Sequence, residues 1–360
     1  MKKNVWKTLV GVLITALTAC ALAGCGASSA PANYEPLSVA YLNKAGYEDV
    51  IVGDHEGYFK DAGPEITLYP VTGSGQQSVE AMLAGSADLA ATGQGPVADA
   101  LKEYGDDIVI VAGYNCSTGG QVWVASPALT GDKAIIPYDK NADNKAEVKA
   151  SFGEAAKALG HPIRLGVQQG ATTYGELKSW LKAFDISFND FGAQADSSKM
   201  VTLVDINANT LPTTLASGTD IEMMAASQPY PDTALEQIPG AYKVGTNADI
   251  DSYGVSCYIT TKEIFEKKQD SIKAYLKASQ KACDFMNQNP DEAIQICADS
   301  IGTSTENVKS SFDIADFKVA LSDKMIDCFL STCKKKDVSI DQAQLVSQMP
   351  LKDWIDGGMK

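Results

Sequence analysis

The sequence has one arginine, Arg164, among its 30 basic residues, and two histidines, His55 and His161. The guanidinium fork is the common device for gripping carboxylates and phosphates, so a site built from several such forks is excluded. The histidines stand alone, and none of the eight cysteines falls in a CxxC or His-Cys cluster. Zinc sites need such closely set ligands, so no metal is expected, and no cofactor. HExxH, GxSxG and P-loop motifs are missing too, and with them three common kinds of catalytic apparatus. Positive charge is scarce overall: the net charge is -15. Nucleic acid is thereby disfavoured as a partner, because phosphate backbones demand a basic face. The longest apolar run, from Leu9 to Leu22, falls short of the ~20 residues of a spanning helix.

That run follows Lys2, Lys3 and Lys7 and ends in Leu22-Ala23-Gly24-Cys25, the pattern of a secretory signal closed by a lipobox. Residues 1–24 read as a lipoprotein signal peptide, and Cys25 as the residue that takes the lipid and anchors the chain to the cell membrane, outside the cytoplasm. Leu17-Thr18-Ala19-Cys20 is a weaker second candidate, and an ordinary signal peptide with an incidental cysteine is the alternative. Residues 25–36, "CGASSAPANYEP", offer nothing to bury and read as a flexible tether. Of the remaining cysteines, Cys328 with Cys333, or Cys283 with Cys297, could pair in an oxidising compartment. Buried free thiols are the other reading, and both stand.

The rest of the chain exceeds what one core usually supports, so two domains are expected. Strand-like "LSVAYL", "EITLYPV", "ADLAAT" and "DIVIVAGY" alternate with helical stretches bounded by Gly, Ser and Pro. Such βαβαβ grammar predicts a mostly parallel sheet. It recurs in "IRLGVQQ", "TTYGELKSWLKAF" and "VTLVDI", and residues 214–235 echo residues 82–101 in the order Leu-Ala, Gly, Asp, short apolar strand, then Gln and Pro. Two α/β units of similar plan follow from this. Residues 37–125 form the first part of lobe 1, residues 126–245 lobe 2, and residues 246–360 the rest of lobe 1 with C-terminal helices. Asp139, Asn141 and Asp143 mimic a calcium loop, but Asn144 and Ala150 stand where glycine and glutamate are required. That stretch reads as a solvated loop.

In open α/β sheets the ligand crevice lies at the carboxyl ends of the strands, where helix N-termini offer free N–H donors. Small polar residues mark those breaks here: Tyr41 and Asn43; Ser74, Gly75 and Gln76; Gln94; Asn115; Gln169, Gly170, Thr172 and Thr173; and Gln228. Such donors can hold an anion without arginine. Arg164 precedes "LGVQQG" and so falls at the far end of its strand.

The stretches "EGYFKDAG", "SGQQSVEAMLAGSADLAATGQGPVADAL", "RLGVQQGATTYGELKSWLKAFDI" and "TLASGTDIEMMAASQPYPDTAL" resemble solute-binding lipoproteins of ABC importers, in the nitrate, taurine and aliphatic-sulfonate group that also includes binders of thiamine-pyrimidine precursors. The resemblance implies a two-lobed type II periplasmic-binding-protein fold with a cleft between lobes and crossovers near residues 121–127 and 245–258. It implies a small-molecule ligand, an ABC permease with a cytoplasmic ATPase as partner, a monomer, and no catalysis. Ser74, Gly75, Gln76, Gln94 and Gly95 would serve from lobe 1, and Gly170, Ala171, Thr172, Thr173 and Gln228 from lobe 2. A synthase-like enzyme and a ligand sensor using the same cleft are the competing readings. Gln228-Pro229-Tyr230, where relatives often carry an aromatic or acidic residue before the proline, and the extra segment 131–150 are departures from the pattern.

Overall fold

Residues 34–360 are described in the computed structural model; the signal, Cys25 and residues 25–33 lie outside them. The apolar alternations become strands β1 (Leu37–Leu42), β2 (Ile66–Val71), β3 (Leu89–Gly93), β4 (Ile108–Thr118), β5 (Gln121–Ala125), β6 (Ile163–Val167), β7 (Phe188–Asn189), β8 (Val201–Asp205), β9 (Met223–Ser227), β10 (Tyr242–Thr246), β11 (Tyr253–Thr261) and β12 (Ala315–Ala320). They form two six-stranded sheets, ordered β12-β4-β11-β3-β1-β2 and β10-β5-β9-β6-β8-β7.

The two sheets share a plan. In the first, β1 pairs in parallel with β2 and β3, and the antiparallel β11 flanks β3. In the second, β6 pairs in parallel with β8 and β9, and the antiparallel β5 flanks β9. The echoing stretches 82–101 and 214–235 are thus the segments around β3 and β9, which hold equivalent places. Helices cover both faces, so central strands are apolar throughout: the first nine residues of β4 are all buried, whereas the edge strand β2 has no buried residue. Each sheet has its own core. Leu89, Ile110, Tyr258 and Tyr275 lie in the first; Trp123, Phe152, Leu165 and Trp180 lie in the second.

Two expectations change, and one that stood open is decided. β5, assigned by the sequence to the end of lobe 1, is hydrogen-bonded between β9 and β10 of the second sheet. The chain therefore changes sheets at Gly119-Gly120, close to the crossover expected near residues 121–127. The last tether residues are pinned: Glu35 N–H donates to Ser271 Oγ at 2.9 Å, and Lys268 Nζ donates to the Pro36 carbonyl at 2.8 Å. Finally, the six described cysteines are all free. Cys328 and Cys333 sit on the helix Asp323–Lys335 with directions that diverge around its axis, and Cys283 and Cys297 are both fully buried. No helix among the described residues is long and apolar enough to cross a membrane.

Candidate functional site

The carboxyl edges of the two sheets face one another across a cavity of about 110 Å³. That is smaller than the ~150 Å³ apolar cavity that holds benzene, so in this arrangement of the lobes an occupant has a handful of non-hydrogen atoms. The first sheet contributes the turn after β1, the turn after β2, the end of β3 and the ends of β4 and β11; the second contributes the turns after β6 and β9.

Glycine makes the approach possible. The helix Gln94–Tyr104 of the first lobe and the helix Thr172–Ala183 of the second meet N-terminus to N-terminus, with Gly95 N–H donating to Thr172 Oγ1 at 3.2 Å. A Cβ on Gly95 would lie 2.8 Å from Thr172 Cα, which no side-chain adjustment relieves.

Ser74, Gly75, Gln94, Asn115, Thr172, Thr173 and Gln228, expected from the sequence to face a ligand, line the cavity. Several have other work. Ser74 caps the helix Gly75–Leu83, accepting from Gln76 N–H and donating to Gln77 Oε1 at 3.1 Å. Gln94 braces β11, donating to the Tyr253 carbonyl at 3.1 Å and accepting from Val255 N–H at 2.9 Å. Thr173 donates to Gln121 Oε1. Asn115 is different: it is 4% exposed, makes no side-chain hydrogen bond among the described residues, and has a buried Oδ1 with no partner. Gln228 donates to Asp232 Oδ1 at 3.1 Å, while its Oε1 is buried without a partner.

Tyr41, Asn43, Gln76, Gln169 and Gly170 do not line the cavity, which corrects their expected placement. Tyr41 packs on the first core. Asn43 is drawn outward, donating to the Ser300 carbonyl at 2.7 Å and accepting from Ser300 Oγ at 3.0 Å. Gln76 and Gly170 are neighbours, a Cβ added to Gly170 lying 3.6 Å from Gln76 Cγ. Gln169 is exposed, its N–H donating to Asp205 Oδ1 at 2.8 Å. Arg164 sits at the opposite end of β6, paired with Glu222 and donating to the Thr219 carbonyl at 2.7 Å.

Sequence reasoning missed Lys44, Tyr47 and Glu48, all in the turn after β1 and the first residue of its helix. Lys44 is the one basic residue in the cavity wall among the described residues. It is 9% exposed, donates to Ser227 Oγ of the other lobe at 2.6 Å, and lies over the Tyr230 ring at 5.3 Å. Burial lowers its pKa to about 8, with Glu48 pulling the other way. Glu48, 1% exposed, accepts from Gly46 N–H and Ser311 Oγ, both at 2.9 Å; burial raises its pKa against those donors and Lys44. The available signal was the break "LNKAG", which has the same strand-to-helix position as the others but carries a charge, Lys44, at its centre.

Residues 30–302 match the NMT1-like family across all the β1-to-β11 elements just described. The chain belongs to that family. Among solved structures, this NMT1-like chain is similar to the periplasmic aliphatic sulphonate binding protein SsuA from Escherichia coli, with 16% identity, 88% of this chain and 98% of that chain covered, and a TM-score of 0.64. It is similar to the periplasmic nitrate-binding protein NrtA from Synechocystis PCC 6803, with 14% identity, 88% and 86% coverage, and a TM-score of 0.65. It is also similar to the desulfurization enzyme DszB, with 14% identity, 90% and 99% coverage, and a TM-score of 0.58. These likenesses show the periplasmic-binding-protein fold. Comparison with curated proteins gives no match.

Proposed function

We propose that this NMT1-like protein is the extracytoplasmic solute-binding lipoprotein of an ABC importer, anchored through Cys25, and that it hands a small sulfonate or related oxyanion to a membrane permease driven by an ATPase. The observation that carries the reading is Lys44, a buried ammonium in a wall whose one other charged side chain among the described residues is Glu48 and whose remaining polar groups are amides and hydroxyls. This revises the sequence-based expectation that neutral donors do most of the holding. Among the described residues no carboxylate lies within ion-pair distance of Lys44, and Glu48 offsets its burial only in part, leaving its pKa depressed; a buried cation so placed is costly unless a further anion joins it.

Lys44 also links ligand capture to closure, because it belongs to the first lobe and its partner Ser227 to the second. A ligand shifts the open–closed equilibrium only by its differential affinity for the two states. An anion touching groups from both lobes has such a difference. Binding rather than turnover is favoured because no imidazole or thiol stands in the wall among the described residues. His55 and His161 are exposed, and burial raises the pKa of Cys257.

Native mass spectrometry of gently purified protein, followed by calorimetric titration with methanesulfonate, 2-aminoethanesulfonate and nitrate, tests the reading. A co-purified or titrated small anion is the expected result. A co-purified neutral or cationic molecule, with no response to any of the anions, would overturn it.

A further inference from the structure

The chain beyond residue 302 lies outside the stretch that matches the NMT1-like family, yet it reaches the second lobe at two separate points. On one flank Lys335, the last residue of the helix Asp323–Lys335, donates from Nζ to Glu176 Oε1 at 3.1 Å and lies 3.4 Å from Ser252 Oγ. Glu176 is 2% exposed and its Oε2 has no partner. Lys335 is therefore what balances a carboxylate that water does not reach. On the other flank the Ser310 hydroxyl donates to Asp232, and Asn307 Nδ2 donates to Glu236 Oε2 at 3.0 Å.

Two of these contacts, at Glu176 and at Asp232, end one step from the cavity wall. Glu176 lies one turn along the helix that begins at Thr172, and the three- and four-residue spacing puts it on the same helical face as Thr173 and Thr172. Asp232, which accepts a hydrogen bond from the Ser310 hydroxyl on Oδ2, accepts one from Gln228 Nε2 on Oδ1 at 3.1 Å. Thr172, Thr173 and Gln228 all line the cavity. Lys335 and Ser310 are not themselves in the wall, although Ser311 and Ile314 of the same segment are.

We propose that residues 303–360 form a two-point brace in which Lys335 acting through Glu176, and Ser310 acting through Asp232, hold the second lobe's wall residues against the first lobe before ligand arrives. Lys335 and Ser310 are positioning residues. They tune affinity by setting how much closure is already in place, since a ligand binds more weakly when its competent state is less populated. The effect on affinity rests on the ligand-binding reading given above, whereas the effect on closure does not.

The sequence supplies a matched control. Lys336, next in the chain, pairs with Asp99 at 2.6 Å, and Asp99 lies on the helix Gln94–Tyr104 of the same lobe. The experiment compares Lys335→Met with Lys336→Met. Small-angle scattering of the ligand-free protein should show Lys335→Met more expanded than wild type, with faster amide exchange over residues 172–176, and Lys336→Met unchanged in both. Methanesulfonate affinity should fall at least tenfold in Lys335→Met, and Lys335→Arg should recover most of it; Ser310→Ala should lose about threefold. If Lys335→Met and Lys336→Met match in scattering and exchange, the brace is refuted. If methanesulfonate and the other sulfonates fail to bind wild type, the ligand reading fails by itself, and scattering and exchange still decide the brace. Should Lys335→Met lose its cooperative melt, the double variant Glu176→Gln/Lys335→Met removes the stranded carboxylate and carries the same comparison.

Discussion

Two strand-to-helix breaks stand side by side in the first lobe and do opposite things. After β2, the polar residues serve their own helix: Ser74 and Gln77 form a reciprocal capping box, and Thr92 Oγ1 donates to the Gly75 carbonyl at 2.9 Å. After β1, the helix Glu48–His55 starts without any side-chain cap. The polar groups there turn inward, with Lys44 and Glu48 both buried in the cavity wall. A break that satisfies its own backbone is scaffold. One that leaves its helix uncapped while burying charge is built for something outside itself, because the same groups would be cheaper in water.

Removing the charge should break this contrast most sharply. Lys44→Met keeps the apolar stem and loses the ammonium, and charge-assisted hydrogen bonds contribute about 1.5–3 kcal/mol. Affinity for a sulfonate should therefore drop about a hundredfold, using ~1.4 kcal/mol per tenfold. The pH profile should agree. With its pKa lowered to about 8, Lys44 is protonated below that value and increasingly neutral above it, so anion affinity should decline as pH rises through 8. Binding near pH 8 should also take up protons, seen as a calorimetric heat that varies with buffer ionisation enthalpy. A flat profile from pH 6 to 10 would remove Lys44 from the site.

The helix after β1 carries a second buried acid. Asp49 accepts from Ser279 Oγ at 2.5 Å and from the Tyr258 hydroxyl, and its Oδ1 has no partner. Burial, reinforced by Glu48, pushes its pKa up to about 7 despite those donors. The native state therefore holds a proton between about pH 4 and pH 7 that the unfolded chain has released, so stability falls as pH rises through that window. Asp49→Asn removes the dependence. From pH 5 to pH 7 the wild type should lose about 2 kcal/mol relative to the variant in urea unfolding, and the two curves should run parallel below pH 4.

Asn115 offers a smaller test with two signs. Its amide is buried without a partner, and an unmet buried polar group costs about 1–3 kcal/mol. Asn115→Ala should leave the ligand-free protein as stable as wild type or slightly more so, while weakening ligand binding about tenfold. Loss of stability without loss of affinity would make Asn115 a packing residue.

The sequence made the strands legible because buried parallel strands are continuous apolar runs, and it made the paired plan legible because residues 82–101 and 214–235 occupy equivalent places around β3 and β9. Which sheet β5 joins was not legible, since apolar strands on both sides of Gly119-Gly120 look alike whichever sheet they enter; only the resemblance put a crossover close by, near residues 121–127. The polar breaks pointed to the right edge of each sheet but could not say which side chains remain free there. The sequence pattern makes Gln94 a ligand contact, yet β11 uses both ends of its amide. Lys44 escaped notice because lysine is abundant and usually solvated. What buries it is Ser227 and Tyr230 from the opposite lobe, a neighbourhood that local sequence does not encode.

Ser74→Ala gives the smallest expected change and tests the scaffold half of the contrast. The substitution removes the oxygen that accepts Gln76 N–H and the hydroxyl that meets Gln77 Oε1, and loss of an N-cap typically costs about 1 kcal/mol of stability. Ser74 N–H still donates to Gln77 Oε1 at 2.8 Å, and Thr92 still holds the Gly75 carbonyl. Half of the capping box survives, so the helix should keep its start and the cavity its shape. Urea unfolding should report about 1 kcal/mol less stability, while sulfonate affinity should stay within about twofold of wild type, a difference under ~0.5 kcal/mol. A tenfold loss of affinity with unchanged stability would reverse the assignment: Ser74 would then face the ligand, and the two breaks would differ in degree and not in kind.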